Sequence, residues 1–181
     1  MRSARVTITD NDPVPTKKAY QNVNMIIEGT AHIGGLHLGD ITATQDCTYL
    51  EKNKISCVLT VANCDPFTCP KEYVKYHKHI KAADVPEFKL NEFFKDCFKY
   101  IHEHRNKGHS VLVHCMAGIS RSATIVIGYI MTVYPTVDFE AAFSKVRKIR
   151  KVVRPNDGFL EQLRKYDAEL EDKRKNKQKV M

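Results

Sequence analysis

The stretch from Ser110 to Tyr134 constrains this chain more than any other. Ser110–His114 (S-V-L-V-H) is short and apolar and reads as a buried strand. Ser120–Tyr134 is apolar on nearly every face and reads as a helix in the centre of a fold. A seven-residue turn, Cys115 to Arg121, joins them. Neither element can be kept from water unless a sheet lies under helices. The other periodicities agree. Ile55–Val61 (I-S-C-V-L-T-V) reads as a buried strand, and Val74–Ile80 reads as a strand. Clusters at Ile26–Ile27 and Ile33–Leu38 suggest two short strands, with Gly29, Gly34 and Gly35 as turn signals.

Helices alternate with these strands. Thr42–Lys52 is a weak one. Leu90 to His104 follows helical spacing and is stopped by Gly108. Asp138 caps a helix whose apolar face is Phe139, Ala142, Phe143, Val146 and Ile149, and Pro155 ends that element. Asn156 or Asp157 caps the last helix, with Phe159, Leu160, Leu163, Tyr166 and Leu170 inward. The expected class is α/β, with a central, mostly parallel mixed sheet of about four or five strands flanked by helices. A chain of 181 residues is about one domain. Residues 1–22, polar and with Pro13 and Pro15, read as a flexible lead-in, 23–171 as the folded domain, and 172–181 as a basic tail.

The net charge of +8 is uneven. Lys145–Arg154 carries +6 and Asp172–Met181 carries +4, which leaves −2 for the other 161 residues. A uniformly basic nucleic-acid coat is excluded, so no nucleic-acid partner is expected. No apolar run reaches the ~18 residues of a membrane span, so no membrane insertion is expected. No secretory signal is visible. The six cysteines (47, 57, 64, 69, 97, 115) then read as reduced thiols of a cytoplasmic protein, with the nucleus as a second location. The gaps between Cys57, Cys64 and Cys69 fit no paired zinc pattern, and i,i+2 pairs such as His77/His79 and His102/His104 would diverge on a helix, so ligation by either pair alone is not expected and no metal site is expected.

Val111 to Ser122 (V-L-V-H-C-M-A-G-I-S-R-S) is where chemistry concentrates. It puts Cys115 at the carboxyl end of a strand, facing a helix N-terminus, which is where open α/β sheets bind ligands. The loop N–H groups and the helix dipole favour an anion there, and they favour the thiolate over the thiol. Gly118 allows a backbone conformation that a Cβ would obstruct. Arg121 brings a planar fork suited to phosphate oxygens. A thiolate beside a phosphate-shaped cradle describes phosphoryl transfer through a cysteinyl-phosphate.

His114-Cys115-Met-Ala-Gly118-Ile-Ser120-Arg121-Ser122 resembles the signature loop of the cysteine-dependent protein phosphatases, in the form used by the small dual-specificity branch. The resemblance runs from near Ile26 to Leu170. Ile33–Asp40 is similar to the family's opening strand, Ile55–Val61 to its next core strand, and Arg154–Leu160 to its closing helix entry. It implies the protein tyrosine phosphatase-like fold, no cofactor and no metal. It implies a phosphate-binding loop of Cys115, Met116, Ala117, Gly118, Ile119, Ser120 and Arg121. It also implies a general acid about thirty residues before the cysteine. Asp84, 31 residues before Cys115, matches that position, with Asp65 as a competing carboxylate. Ser122 can hydrogen-bond the thiolate and help it leave, or cap the helix. His114 is an orienting residue. Asn156 matches a supporting position, or is simply an N-cap.

The implied activity is hydrolysis of phosphotyrosine and phosphoserine or phosphothreonine in proteins. The partners implied are phosphorylated proteins, kinases among them, acted on by a monomer. The alternatives are a phosphoprotein-binding pseudophosphatase scaffold, or a phosphatase of phosphoinositides or RNA 5′ ends. No basic residue lies between Cys115 and Arg121, unlike many lipid-phosphatase relatives. Ser122-Ala123 replaces the Thr-Gly typical of RNA triphosphatases. Arg147, Lys148, Arg150 and Lys151 are expected to face outward, with Arg150 and Arg154 as candidates for a second phosphate contact. Lys173–Lys179 is expected to be a frayed helix end.

Overall fold

Five short segments assemble into one sheet in the computed structural model, which describes residues 21–64 and 69–179. They are β1 (Val23–Ile27), β2 (Leu36–Gly39), β3 (Ile55–Val61), β4 (Tyr76–Ile80) and β5 (Ser110–His114). The spatial order is β1-β2-β5-β3-β4. Only the β1–β2 pair is antiparallel. β5 is central, and all five of its residues are buried. That matches a continuous apolar run, because a parallel strand covered on both faces has no polar side.

Alternation along each strand divides the core in two. Val111 and Val113 of β5, Leu36 and Leu38 of β2, and Cys57, Leu59 and Val61 of β3 join the larger cluster. Leu112 and Val58 point the other way, into a smaller cluster with Ala43, Leu50 and Val74. The larger face is covered by α2 (Phe94–Asn106), α3 (Arg121–Val133), α4 (Phe139–Ile149) and α5 (Asp157–Lys179). Every residue of α3 from Arg121 to Met131 is buried, as expected of a helix that is apolar on nearly every face.

The expected helix at Thr42–Lys52 is two pieces, a 3₁₀ turn (Ile41–Gln45) and α1 (Cys47–Lys52). Two aspartates cause the break. Asp40 accepts from the amides of Thr42 and Ala43, and Asp46 accepts from the amide of Tyr49, so each starts its own element. A 3₁₀ turn (Leu90–Phe93) likewise precedes α2. α4 departs from the expected pattern at its end. Phe139, Ala142 and Val146 are buried, but Ile149 is exposed and Arg150 is 2% exposed. The helix stops at Ile149, and Arg150 is extended (φ −117°, ψ 93°), so helical periodicity no longer sets its direction. α5 runs through residue 171 to Lys179, and Arg174 Nη2 donates to the carbonyl of Met131 (2.9 Å). Most of the expected lead-in, and Asp65, lie outside the described residues.

Two histidines are buried in this sheet. His37 of β2 meets Tyr49 Oη at 3.0 Å through Nδ1, and His114 ends β5. Burial pushes each imidazole down to about 4, helped in His37 by nearby Arg105. Both are neutral when folded at pH 7. The unfolded chain binds more protons below the ordinary histidine value, so their contribution is complete above about pH 6.5 and is lost as pH falls toward 4. Urea unfolding at pH 5 should show a loss of about 2 kcal/mol per histidine relative to pH 8. His37→Gln should remove about half of that loss. A flat profile between pH 8 and 5 would contradict the burial assignment.

Candidate active site

The loop after β5 is organised by its carbonyls. The carbonyl of Cys115 accepts from His114 Nδ1 (3.3 Å). That of Met116 accepts from the Ile41 amide (3.2 Å). Those of Ala117 and Gly118 accept from Arg150, through Nη2 (3.3 Å) and Nε (2.9 Å). Ile119 accepts from the Arg154 amide (2.9 Å), and Ser120 from the Thr124 amide and hydroxyl (both 2.9 Å). Across a planar trans peptide the next residue's N–H points away from the carbonyl. Tying six consecutive carbonyls to surrounding elements therefore aims the amides of residues 116–121 the other way, toward the Cys115 side of the loop. The Gly118 amide donates to Cys115 Sγ at 3.2 Å. Gly118 has φ +64°, and a Cβ there would lie 2.5 Å from the Gly39 carbonyl oxygen.

Cys115 is buried, and its Sγ also accepts from Ser122 Oγ at 3.2 Å. Arg121 opens α3. Its Nη1 donates to the Ala82 carbonyl (3.0 Å), and its Nε lies 3.3 Å from Asp84 Oδ2, an ion pair without the alignment of a hydrogen bond. Asp84 Oδ1 accepts from Ser120 Oγ (2.7 Å) and Asn156 Nδ2 (2.9 Å). Asn156 also caps α5, its Oδ1 accepting from the Phe159 amide at 3.0 Å. Gly158 keeps the Asp84 segment close, since a Cβ on it would sit 2.0 Å from the Pro86 carbonyl oxygen.

His114 is neutral and donates through Nδ1 to a carbonyl, so Nε2 is its acceptor. Thr60 Oγ1, 2.7 Å away, donates to it and in turn accepts from His77 Nε2 (2.7 Å). Neither Thr60 nor His77 is evident as a site residue from the sequence. The one signal is a threonine inside the otherwise apolar end of β3.

The structure thus brings together Cys115, Arg121, Asp84, Ser122, His114 and Asn156. It does not present Arg150 to a second phosphate. Its guanidinium is turned inward, onto the two loop carbonyls, the carbonyl of Gln21 (2.8 Å) and Asn24 Oδ1 (2.9 Å). The expected outward position fails because α4 ends one residue earlier. Arg154 is exposed and touches the loop through its backbone.

A thiol at a strand end, amides turned toward it, an arginine at the helix start and a tethered carboxylate define the site of a cysteine-dependent phosphatase. Residues 36–169 match the catalytic domain of the dual specificity phosphatases. Human dual specificity protein phosphatase 22 is 44% identical over 135 residues, covering 74% of this chain and 70% of that one. A crystal structure of DUSP15 superposes with a TM-score of 0.68 at 32% identity, covering 79% of this chain and 94% of that one. The human tyrosine phosphatase-like serine/threonine/tyrosine-interacting protein does so with a TM-score of 0.72 at 28% identity, covering 81% and 95%. The chain belongs to the dual specificity phosphatase family, and its fold and its class of enzyme follow.

Arg150→Met should strand the Ala117 and Gly118 carbonyls. Unfolding should be easier by about 2–4 kcal/mol, and kcat on an aryl phosphate should fall at least about tenfold. Arg154→Ala should leave stability within about 0.5 kcal/mol. Equal effects of the two substitutions, by urea titration and steady-state kinetics, would reject the anchoring role of Arg150.

Proposed function

We propose that Cys115 is the nucleophile and Asp84 the general acid in hydrolysis of phosphotyrosine and phosphoserine or phosphothreonine. The observation that carries this is one loop that serves two bonded sets, Cys115 with the Gly118 amide and Ser122, and Asp84 with Ser120, Arg121 and Asn156. In the first half-reaction the Cys115 thiolate attacks phosphorus. The S–P bond forms, the P–O bond to the leaving group breaks, and protonated Asp84 gives its proton to the leaving oxygen. Arg121 and the loop amides hold the equatorial oxygens. In the second, Asp84 takes a proton from water as the water oxygen attacks phosphorus. The S–P bond breaks, and Ser122 Oγ–H stabilises the departing thiolate.

Phosphorylated proteins are the substrate class of this family. A neutral loop surface favours them over polyanionic headgroups. Met116 and Val85, beside the nucleophile and the acid, are exposed and give the rim an apolar character suited to peptide side chains. Arg154 is exposed and remains our candidate for a second phosphate contact, with exposed Lys151 added as its neighbour in place of Arg150. A monomer in cytoplasm and nucleus is the setting we infer, supported by six cysteines that are all free thiols.

Cys115→Ser should abolish turnover, and Asp84→Asn should lower kcat by about 10²–10⁴ with KM little changed. The double substitution Lys151→Ala/Arg154→Ala should raise KM about two- to tenfold for a doubly phosphorylated peptide and leave a small aryl phosphate unaffected. Activity surviving Cys115→Ser would end this reading. A wild-type rate for Asp84→Asn would remove only the acid assignment.

A further inference from the structure

α2 and α5 both pack on α3, one on each side, and leave a groove between them. Its volume is about 710 Å³. It lies at the far end of α3 from the catalytic loop. Arg121 opens that helix, while Tyr129, Thr132 and Val133, which line the groove, close it. Those positions are about 12–18 Å further along the axis. The floor is aromatic and recessed, since Phe98 is 5% and Tyr129 1% exposed, with Tyr166 half-buried beside them.

The walls are cationic. Lys95 and Lys99 stand four residues apart on α2, and Lys165 and Lys173 stand eight apart on α5, against one acid, Glu169. Lys99 and Lys165 have exposed i,i+4 partners, Glu103 and Glu161. Such pairs are weak and easily exchanged. Lys95 and Lys173 have no carboxylate partner among the described residues. Lys173 lies in the stretch of α5 past residue 171, and Arg174 ties that stretch to the end of α3. The basic tail is therefore a groove wall along part of its length.

We propose that this groove is a docking site for an acidic amphipathic helix of a partner protein. The apolar stripe of the helix would lie on the aromatic floor, and its carboxylates would lie between the two lysine rows. Charge selects the sign of the partner. Geometry selects its conformation. Helix-bounded walls offer no free sheet edge, so an extended peptide would bury unpaired backbone, whereas a helix satisfies its own. The recessed floor lies out of reach of a flat membrane surface. This site does not depend on the catalytic roles assigned above.

The test uses the full chain and a fluorescein-labelled peptide of about sixteen residues, with leucines at helical i, i+3, i+4 and i+7 spacing and glutamates elsewhere. Fluorescence anisotropy should show saturable binding that weakens with added NaCl. Lys95→Glu/Lys173→Glu should weaken it at least about tenfold while turnover of an aryl phosphate stays at the wild-type rate, showing that the variant is folded. Three results would overturn the proposal: no saturable binding, equal binding of a peptide with the same composition but scrambled leucines, or equal binding by the charge-reversed protein. Lysine-dependent binding to phosphatidylserine vesicles without peptide binding would also overturn it, in favour of a lipid surface.

Discussion

The catalytic loop depends on where its carbonyls are held. Six in succession, from Cys115 to Ser120, are claimed by donors outside the loop's inner face. The donors come from β5 itself, from the turn after β2, from the segment between α4 and α5, and from the first turn of α3. Their combined effect is to point the amides of the loop toward the cysteine. Arg150 supplies two of the six anchors and adds a buried positive charge beside an anion site. A buried guanidinium is costly unless its donors are used. Here it donates to two loop carbonyls, to the Gln21 carbonyl and to Asn24. The loop is thereby tied to the chain just before and within β1, more than ninety residues earlier in sequence.

The carboxylate side of the site follows the same logic. Asp84 is not placed by its own loop alone. Ser120, Asn156 and Arg121 hold it, and the close contact of Gly158 with Pro86 sets the distance between its loop and α5. Ser120 and Arg121, which hold Asp84, lie at the end of the loop that begins at Cys115, so a change in the loop's anchors reaches the carboxylate as well. His114 extends the network outward through Thr60 to His77, at the edge of the sheet.

Much of this was legible in the sequence, for physical reasons. The buried strand, the seven-residue loop and the all-apolar helix announce themselves through local composition, and they appear at Ser110–His114 and Arg121–Val133. Asp84 was legible only through resemblance, because a loop aspartate carries no local signal of its partners. Arg150 departs from its expected outward position for a definite reason. Helical periodicity assigns it to a solvated face, but periodicity applies only while the helix lasts, and α4 ends at Ile149. The roles of Ser120, Thr60 and His77 rest on contacts between residues 17 to 54 positions apart, which no local pattern encodes.

We propose that this preorganised loop makes Cys115 the group that carries phosphate between two half-reactions. The most direct measurement is rapid acid quench of the Ser122→Ala protein with a radiolabelled phosphopeptide, followed by mapping of the label. The account predicts near-stoichiometric label on the fragment containing Cys115, lost in the Cys115→Ser protein. Label on another residue, or turnover with no trapped phosphoenzyme, would contradict it.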